Sequence, residues 1–118
     1  AEAHNVSVII GGPYNSGILA GDVPDHATHD YKAAPRQLIE KARRIAAVCQ
    51  RHHVPLATAA LQFPLAHPAV ASVIPGALSA REVQQNLGHL RQPIPAALWQ
   101  ELRAEGLLAP TAPIPGQA

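Results

Sequence analysis

Two short runs of mostly β-branched, apolar residues, Val6-Ser7-Val8-Ile9-Ile10 and Val70-Ala71-Ser72-Val73-Ile74, each stop at a glycine–proline turn: Gly11-Gly12-Pro13 after the first, Pro75-Gly76 after the second. Nearly continuous apolar runs of this length read as buried strands, of the kind found in parallel sheets. Only these two segments are convincing strands, and two buried strands cannot complete a sheet. Each needs neighbours, and both faces need helices. The expectation is therefore an α/β chain that forms part of a larger parallel architecture, with its open edges covered by other chain.

Helices are expected between and after the strands. Pro35 opens the first, at a position where its missing N–H costs nothing. Leu38, Ala42, Ile45 and Cys49 share one face, Lys41, Arg44 and Arg51 stay wet, and the helix ends near His52. Val54-Pro55 breaks the chain. A second helix starts near Leu56, carries Ala60, Leu61 and Leu65, and is kinked or ended by Pro64. Ser79 begins a third, with Val83, Leu87 and Leu90 as its apolar face. The last opens at Pro95, uses Leu98, Trp99 and Leu102, and closes at Gly106. The tail from Leu107 reads as irregular, and the stretch from Gly11 to about Ala34 as a long loop, a length usually tied to function or mobility.

Composition excludes several function classes. The 118 residues are 47% hydrophobic and 14% charged with net charge +1, which is globular and carries no basic block for nucleic acid. No apolar run approaches a membrane span, and no secretory leader pattern is visible. A single cysteine excludes an internal disulfide and a cysteine-based zinc cluster, and a cytoplasmic setting is the default expectation.

Two constellations can carry chemistry, and both follow strands, where α/β proteins keep their sites. The first is Gly11-Gly12-Pro13-Tyr14-Asn15-Ser16-Gly17-Ile18-Leu19. Its glycines let backbone approach a ligand, and Asn15 and Ser16 offer hydrogen bonds; a tight turn into a surface loop is the equal alternative. The second runs from Ile74 through Pro75, Gly76, Ala77, Leu78 and Ser79 to Glu82, Gln85 and Asn86. A helix start suits phosphate, and Glu82, Gln85 and Asn86 can face a base or ribose. Ser79 and Glu82 also have capping-box spacing, which needs no ligand. The two roles are compatible if one side of the cap faces the ligand. Asp22, Asp25, His26, His29 and Asp30 lack the fixed spacing of a metal site, and no metal is expected. His52 and His53 suit a helix C-terminus, Cys49 reads as inert packing, and Trp99 as a core anchor.

Gly12 to Leu19 is similar to the segment after the seventh strand of aldo/keto reductases. Val73-Ile74-Pro75-Gly76-Ala77, with Ser79 and Asn86, is similar to the segment after the eighth, and Ala59 to Phe63 with His67 to Val70 resembles the helix between them. The resemblance covers nearly the whole chain. It implies the last two strand–helix units and C-terminal helix of a (β/α)8 TIM barrel, one C-terminal part over residues 1–118. It further implies NAD or NADP bound in extended form, and oxidation or reduction of aldose-like sugars or small carbonyl and lactol substrates.

Within that resemblance, Pro13, Tyr14, Asn15, Ser16 and Gly17 match the loop passing the pyrophosphate and its ribose. Gly76, Ala77, Leu78 and Ser79 match the segment beside the adenosine phosphate, and Gln85 and Asn86 the positions meeting adenine. Glu82 stands where many NADP-preferring members have arginine, and Gly76 where several have lysine, so NAD is favoured. The family's Asp, Tyr, Lys and His tetrad belongs to the N-terminal half, so no catalytic residue is carried over. The isolated chain is expected to be inactive, and to self-associate or be only loosely folded. The alternative reading is a non-catalytic fragment that acts only as a binding or self-assembling module.

Overall fold

The computed structural model describes residues 2–14, 19, 28–29, 32–33 and 35–115. After a 3-10 turn at Glu2–His4, strand β1 (Val8–Gly11) leads to a short antiparallel pair, β2 (Thr28–His29) and β3 (Lys32–Ala33). Helices α1 (Arg36–Arg51) and α2 (Leu56–Gln62) follow, then a 3-10 turn at Phe63–Ala66, strand β4 (Val70–Ile74), α3 (Ala80–Arg91) and α4 (Ala96–Ala104).

β1 and β4 pair in parallel, with Ile10 opposite Val73 and Gly11 opposite Ile74. A parallel pair requires a crossover, and α1 with α2 supplies it. Val8, Ile10, Val70 and Val73 are half-buried, while Ile9 and Ile74 are exposed. The first strand starts two residues later than its apolar run, because pairing begins where the Val8 N–H donates to the Ala69 carbonyl at 2.7 Å. A register irregularity between Val8 and Ile9 follows at once. The β2–β3 pair corrects the expectation of an unbroken loop from 11 to 34; two-residue strands leave no periodic trace in sequence.

Three prolines start helices as N-caps: Pro35 before α1, Pro55 before α2 and Pro95 before α4. Pro64 ends α2 by tightening the chain into the 3-10 turn. Gly106, at φ +72°, closes the stretch after α4 in the left-handed region that suits glycine. The core lies among α1, α2, α4 and the tail, built from Val48, Cys49, Leu56, Leu98, Trp99 and Leu102, with Leu107 and Ile114 sealing it. Phe63 stacks on Trp99 with ring centroids 5.9 Å apart. On α1 the buried residues are Ile39, Ala42, Val48 and Cys49, so Leu38 and Ile45 lie at the margins of the face rather than at its centre. Burial pushes the Cys49 thiol up to about 11, which keeps it neutral and inert.

The tail is irregular but not loose. Arg103 donates from Nη2 to the Ala112 carbonyl at 2.5 Å, holding it against α4. No described helix is long and apolar enough to cross a membrane.

Candidate functional site

The parallel pairing places the C-terminal ends of β1 and β4 side by side, and the Gly12 N–H donates to the Ile74 carbonyl at 3.3 Å. Gly12 has φ +60°, which turns the chain away from the sheet in a conformation that other residues resist. Pro13 is buried and Tyr14 half-buried. The Tyr14 carbonyl accepts from the Leu19 N–H at 3.0 Å, and Leu19 packs against the helical core.

On the other side, Gly76, Ala77, Leu78 and Ser79 run exposed from β4 into α3, with Leu78 96% exposed. Ser79 caps the helix: its Oγ accepts from the Glu82 N–H at 3.2 Å. The Glu82 carboxylate reaches back to accept from the Leu78 N–H, one residue earlier than in the usual box. The capping expectation from the Ser79–Glu82 spacing is thereby realised, and the Glu82 carboxylate serves the backbone of its own loop. Helix geometry leaves the N–H groups of Ala80 and Arg81 without intrahelical acceptors.

Among the described residues, the Asn86 side chain bridges the two segments. Tyr14 Oη donates to Asn86 Oδ1 at 2.7 Å, and Asn86 Nδ2 donates to the Gly76 carbonyl at 3.4 Å. Burial raises the Tyr14 phenol above its ordinary value, so it is a protonated donor across the neutral range. Thus Tyr14, Gly76 and Asn86 are brought together, and Leu78, Ser79 and Glu82 form the adjoining cap. Gln85 is exposed on α3. Asn15, Ser16 and Gly17 lie outside the described residues, as do Asp22, Asp25, His26 and Asp30 of the loop weighed as a metal site. Among the described residues no group of three or more histidine, cysteine or acidic side chains is arranged to hold a metal.

The sequence reading missed a polar cluster that holds α3 from behind. Thr58, fully buried on α2, joins His89 Nδ1 at 2.8 Å and donates to Gln92 Oε1 at 3.3 Å. With the hydroxyl hydrogen given to Gln92, His89 Nδ1–H is the donor to Thr58 Oγ1. Gln62 Nε2 donates to the His89 and Gln92 carbonyls at 2.8 and 2.7 Å, satisfying the end of α3. The available signal was Thr58 and Gln62, four apart on a helix of alanine and leucine.

The helix-start N–H groups, the Ser79 hydroxyl and an amide offering both a donor and an acceptor suit an anionic, heterocyclic ligand, and the Glu82 carboxylate at the same helix start opposes its charge. A Cβ built at Gly76 meets nothing within 4 Å, so the protein's own packing does not require glycine there. These features define a class: an α/β protein with a candidate site at the C-terminal ends of parallel strands, beside a helix start. The chain belongs to the aldo/keto reductase family, whose sequence profile matches residues 1–105 and whose fold is a (β/α)8 barrel. It is 40% identical over 109 residues to the pyridoxal 4-dehydrogenase of Microbacterium luteolum, covering 92% of this chain and 32% of that protein. It is also 40% identical over 105 residues to a D-threo-aldose 1-dehydrogenase of a Pseudomonas species, covering 88% of this chain and 32% of the relative. The matched region thus spans about a third of each relative's length.

Proposed function

We propose that this chain is the cofactor-binding C-terminal part of an NAD(P)-dependent oxidoreductase barrel acting on aldose-like sugars or small carbonyl and lactol substrates. The observation that supports it most is the convergence of the two post-strand segments on Asn86, with a capped helix start beside them. In this reading Pro13, Tyr14, Asn15, Ser16 and Gly17 pass the pyrophosphate, Gly76 to Ser79 line the adenosine phosphate, and Gln85 and Asn86 meet the adenine. When bound, the dinucleotide supplies or accepts the hydride. The residues of this chain bind and orient it, and acid–base groups come from elsewhere in a complete barrel.

The parent enzyme uses NAD at least as well as NADP. Glu82 is committed to the cap, so its influence is its charge rather than a hydrogen bond to the ribose. A carboxylate in the first turn of α3 repels the extra phosphate of NADP, while Arg81 beside it attracts that phosphate, and with Glu82 turned into the cap a preference for NADP is the competing outcome. The exposed apolar side chains of Ile9, Ile74, Val83, Leu87 and Leu90 support self-association of the chain in isolation.

Titration of the chain with NAD and NADP, followed through the backbone amide signals of Gly76, Ser79 and Asn86, tests the reading. Saturable binding that shifts these signals is expected, with Glu82→Arg moving the preference toward NADP and Glu82→Gln moving it less. Absence of binding to either dinucleotide overturns the cofactor role. Oxidation of an aldose by the purified chain with either dinucleotide overturns its inactivity.

A further inference from the structure

The end of α3 is short of hydrogen-bond donors. In a continuing helix the His89 carbonyl would accept from the N–H four residues on, but that residue is Pro93, which has no N–H and whose ring crowds that carbonyl. Gln92 accordingly leaves the helix at ψ 127°, the extended backbone favoured before a proline. Both freed carbonyls find the same donor. Gln62 Nε2, on α2, donates to the His89 oxygen at 2.8 Å and to the Gln92 oxygen at 2.7 Å. The sense of this amide is fixed by its partners: carbonyls only accept, so the nitrogen must face them, giving one hydrogen to each. Its helix is rooted in the core, where Leu56, Ala57, Ala59 and Leu61 are buried. α3 buries none of its own twelve residues, so burial does not fix its direction. A helix of that length spans about 18 Å and carries a tilt at one end through to the other.

We propose that Gln62 is a positioning residue for the dinucleotide: by clamping the end of α3 to α2, it sets where the start of that helix stands beside β4. The Ser79 cap, the N–H groups of Ala80 and Arg81, and Asn86 all belong to this one helix and its cap. Their placement against the segment after β1 therefore follows from the clamp. Gln62 grips the opposite end of α3 from Ser79 and acts through the helix backbone. The inference rests on the dinucleotide reading above, in which the start of α3 meets the adenosine phosphate.

The test measures ADP binding to the chain and to three variants. Gln62→Met keeps the length and loses the donor, and is expected to weaken ADP roughly threefold to tenfold, the range for one hydrogen bond. Gln62→Glu cannot donate at neutral pH either and shows a similar loss. Gln62→Lys, whose ammonium can donate to both carbonyls, restores most of the affinity. Without ligand, the backbone amide signals of Ser79 and Glu82 shift in the two donor-free variants and return in Gln62→Lys, while that of Val48 in α1 stays in place. A merely structural role would lower the unfolding midpoint and leave the ADP affinity and the Ser79 signal of the folded chain as in wild type. Unchanged ADP affinity in the donor-free variants, or no recovery in Gln62→Lys, overturns the positioning role while the dinucleotide reading stands. Loss of the folded core in both donor-free variants, read from Trp99 fluorescence, makes Gln62 a support of the core and overturns the positioning role as well. Wild type that does not bind ADP overturns the dinucleotide reading, and this inference with it.

Discussion

α1 and α3 are both amphipathic in sequence, yet they end differently. The sixteen residues of α1 bury Ile39, Ala42, Val48 and Cys49, whereas the twelve residues of α3 bury none. α1 packs with α2 and α4 around Trp99 and Leu98, a corner that closes on itself. α3 is hydrogen-bonded to α2 through a polar seam of Thr58, Gln62, His89 and Gln92, and leaves Val83, Leu87 and Leu90 exposed. An apolar stripe declares that a face exists for burial; what covers it is a property of the whole fold. One half of this molecule is a core, and the other is a surface on which the candidate site is mounted.

The sharpest way to break that contrast is to truncate one large residue on each side. Trp99→Ala is expected to cost about 3–5 kcal/mol, since it opens a cavity where Phe63 now stacks. Leu87→Ala, exposed on α3, is expected to change stability by less than about 0.5 kcal/mol. Urea denaturation of both variants at low protein concentration gives the comparison. If Leu87→Ala costs as much as Trp99→Ala, the α3 face is packed in solution. A midpoint rising with protein concentration would then identify another copy as the cover.

Thr58→Val sharpens the contrast at the seam. The substitution keeps shape and removes the hydroxyl that His89 and Gln92 share. A loss of about 1–2 kcal/mol is expected, as two polar groups lose a partner at a partly buried junction. Faster hydrogen exchange should appear in the last turn of α3 and leave α1 unchanged. Uniform acceleration through both helices would mean that Thr58 serves the core rather than the seam.

How much of this was legible follows the same division. Pro35, Pro95 and the Pro64 break located helix ends because proline acts through local covalent geometry. Strand β4 was read with its observed bounds, since Pro75 and Gly76 punctuate it. The start of β1 was not, because it depends on the Ala69 carbonyl, about sixty residues away in sequence. Ile39 and Val48 were overlooked since neighbouring apolar positions around a helix differ by only about a third of a turn, and tertiary packing chooses among them. Leu107 and Ile114 lie in an irregular tail where no period marks burial. At the site, the Ser79–Glu82 cap was readable because it spans three positions. The Tyr14–Asn86 bond joins residues 72 apart, and no local pattern signals it.

The smallest expected effect lies at the rim of the helical corner, where the end of α1 is pinned to α4. Arg51 donates from Nε to Glu101 Oε2 at 2.9 Å and also contacts Glu105, while His52 Nε2 lies 3.3 Å from Glu101 Oε1. The hydrogen bond from Arg51 is the largest influence on the Glu101 carboxyl and, against some desolvation, holds it below the usual carboxylate range. A depressed native value means that ionised Glu101 favours the folded state. That contribution is fully present above the unfolded value of about 4.3, and it is lost as pH falls through the lower folded value. Glu101→Gln removes the charge, so the gap in thermal midpoint between wild type and variant should be widest near neutral pH and close on acidification. Added salt should narrow it at neutral pH, since the group is solvent-accessible and the pair is screened. The absence of a gap at neutral pH would show that Glu101 stabilises the corner by packing its side chain, which glutamine retains. The rim would then hold as the core does, without charge.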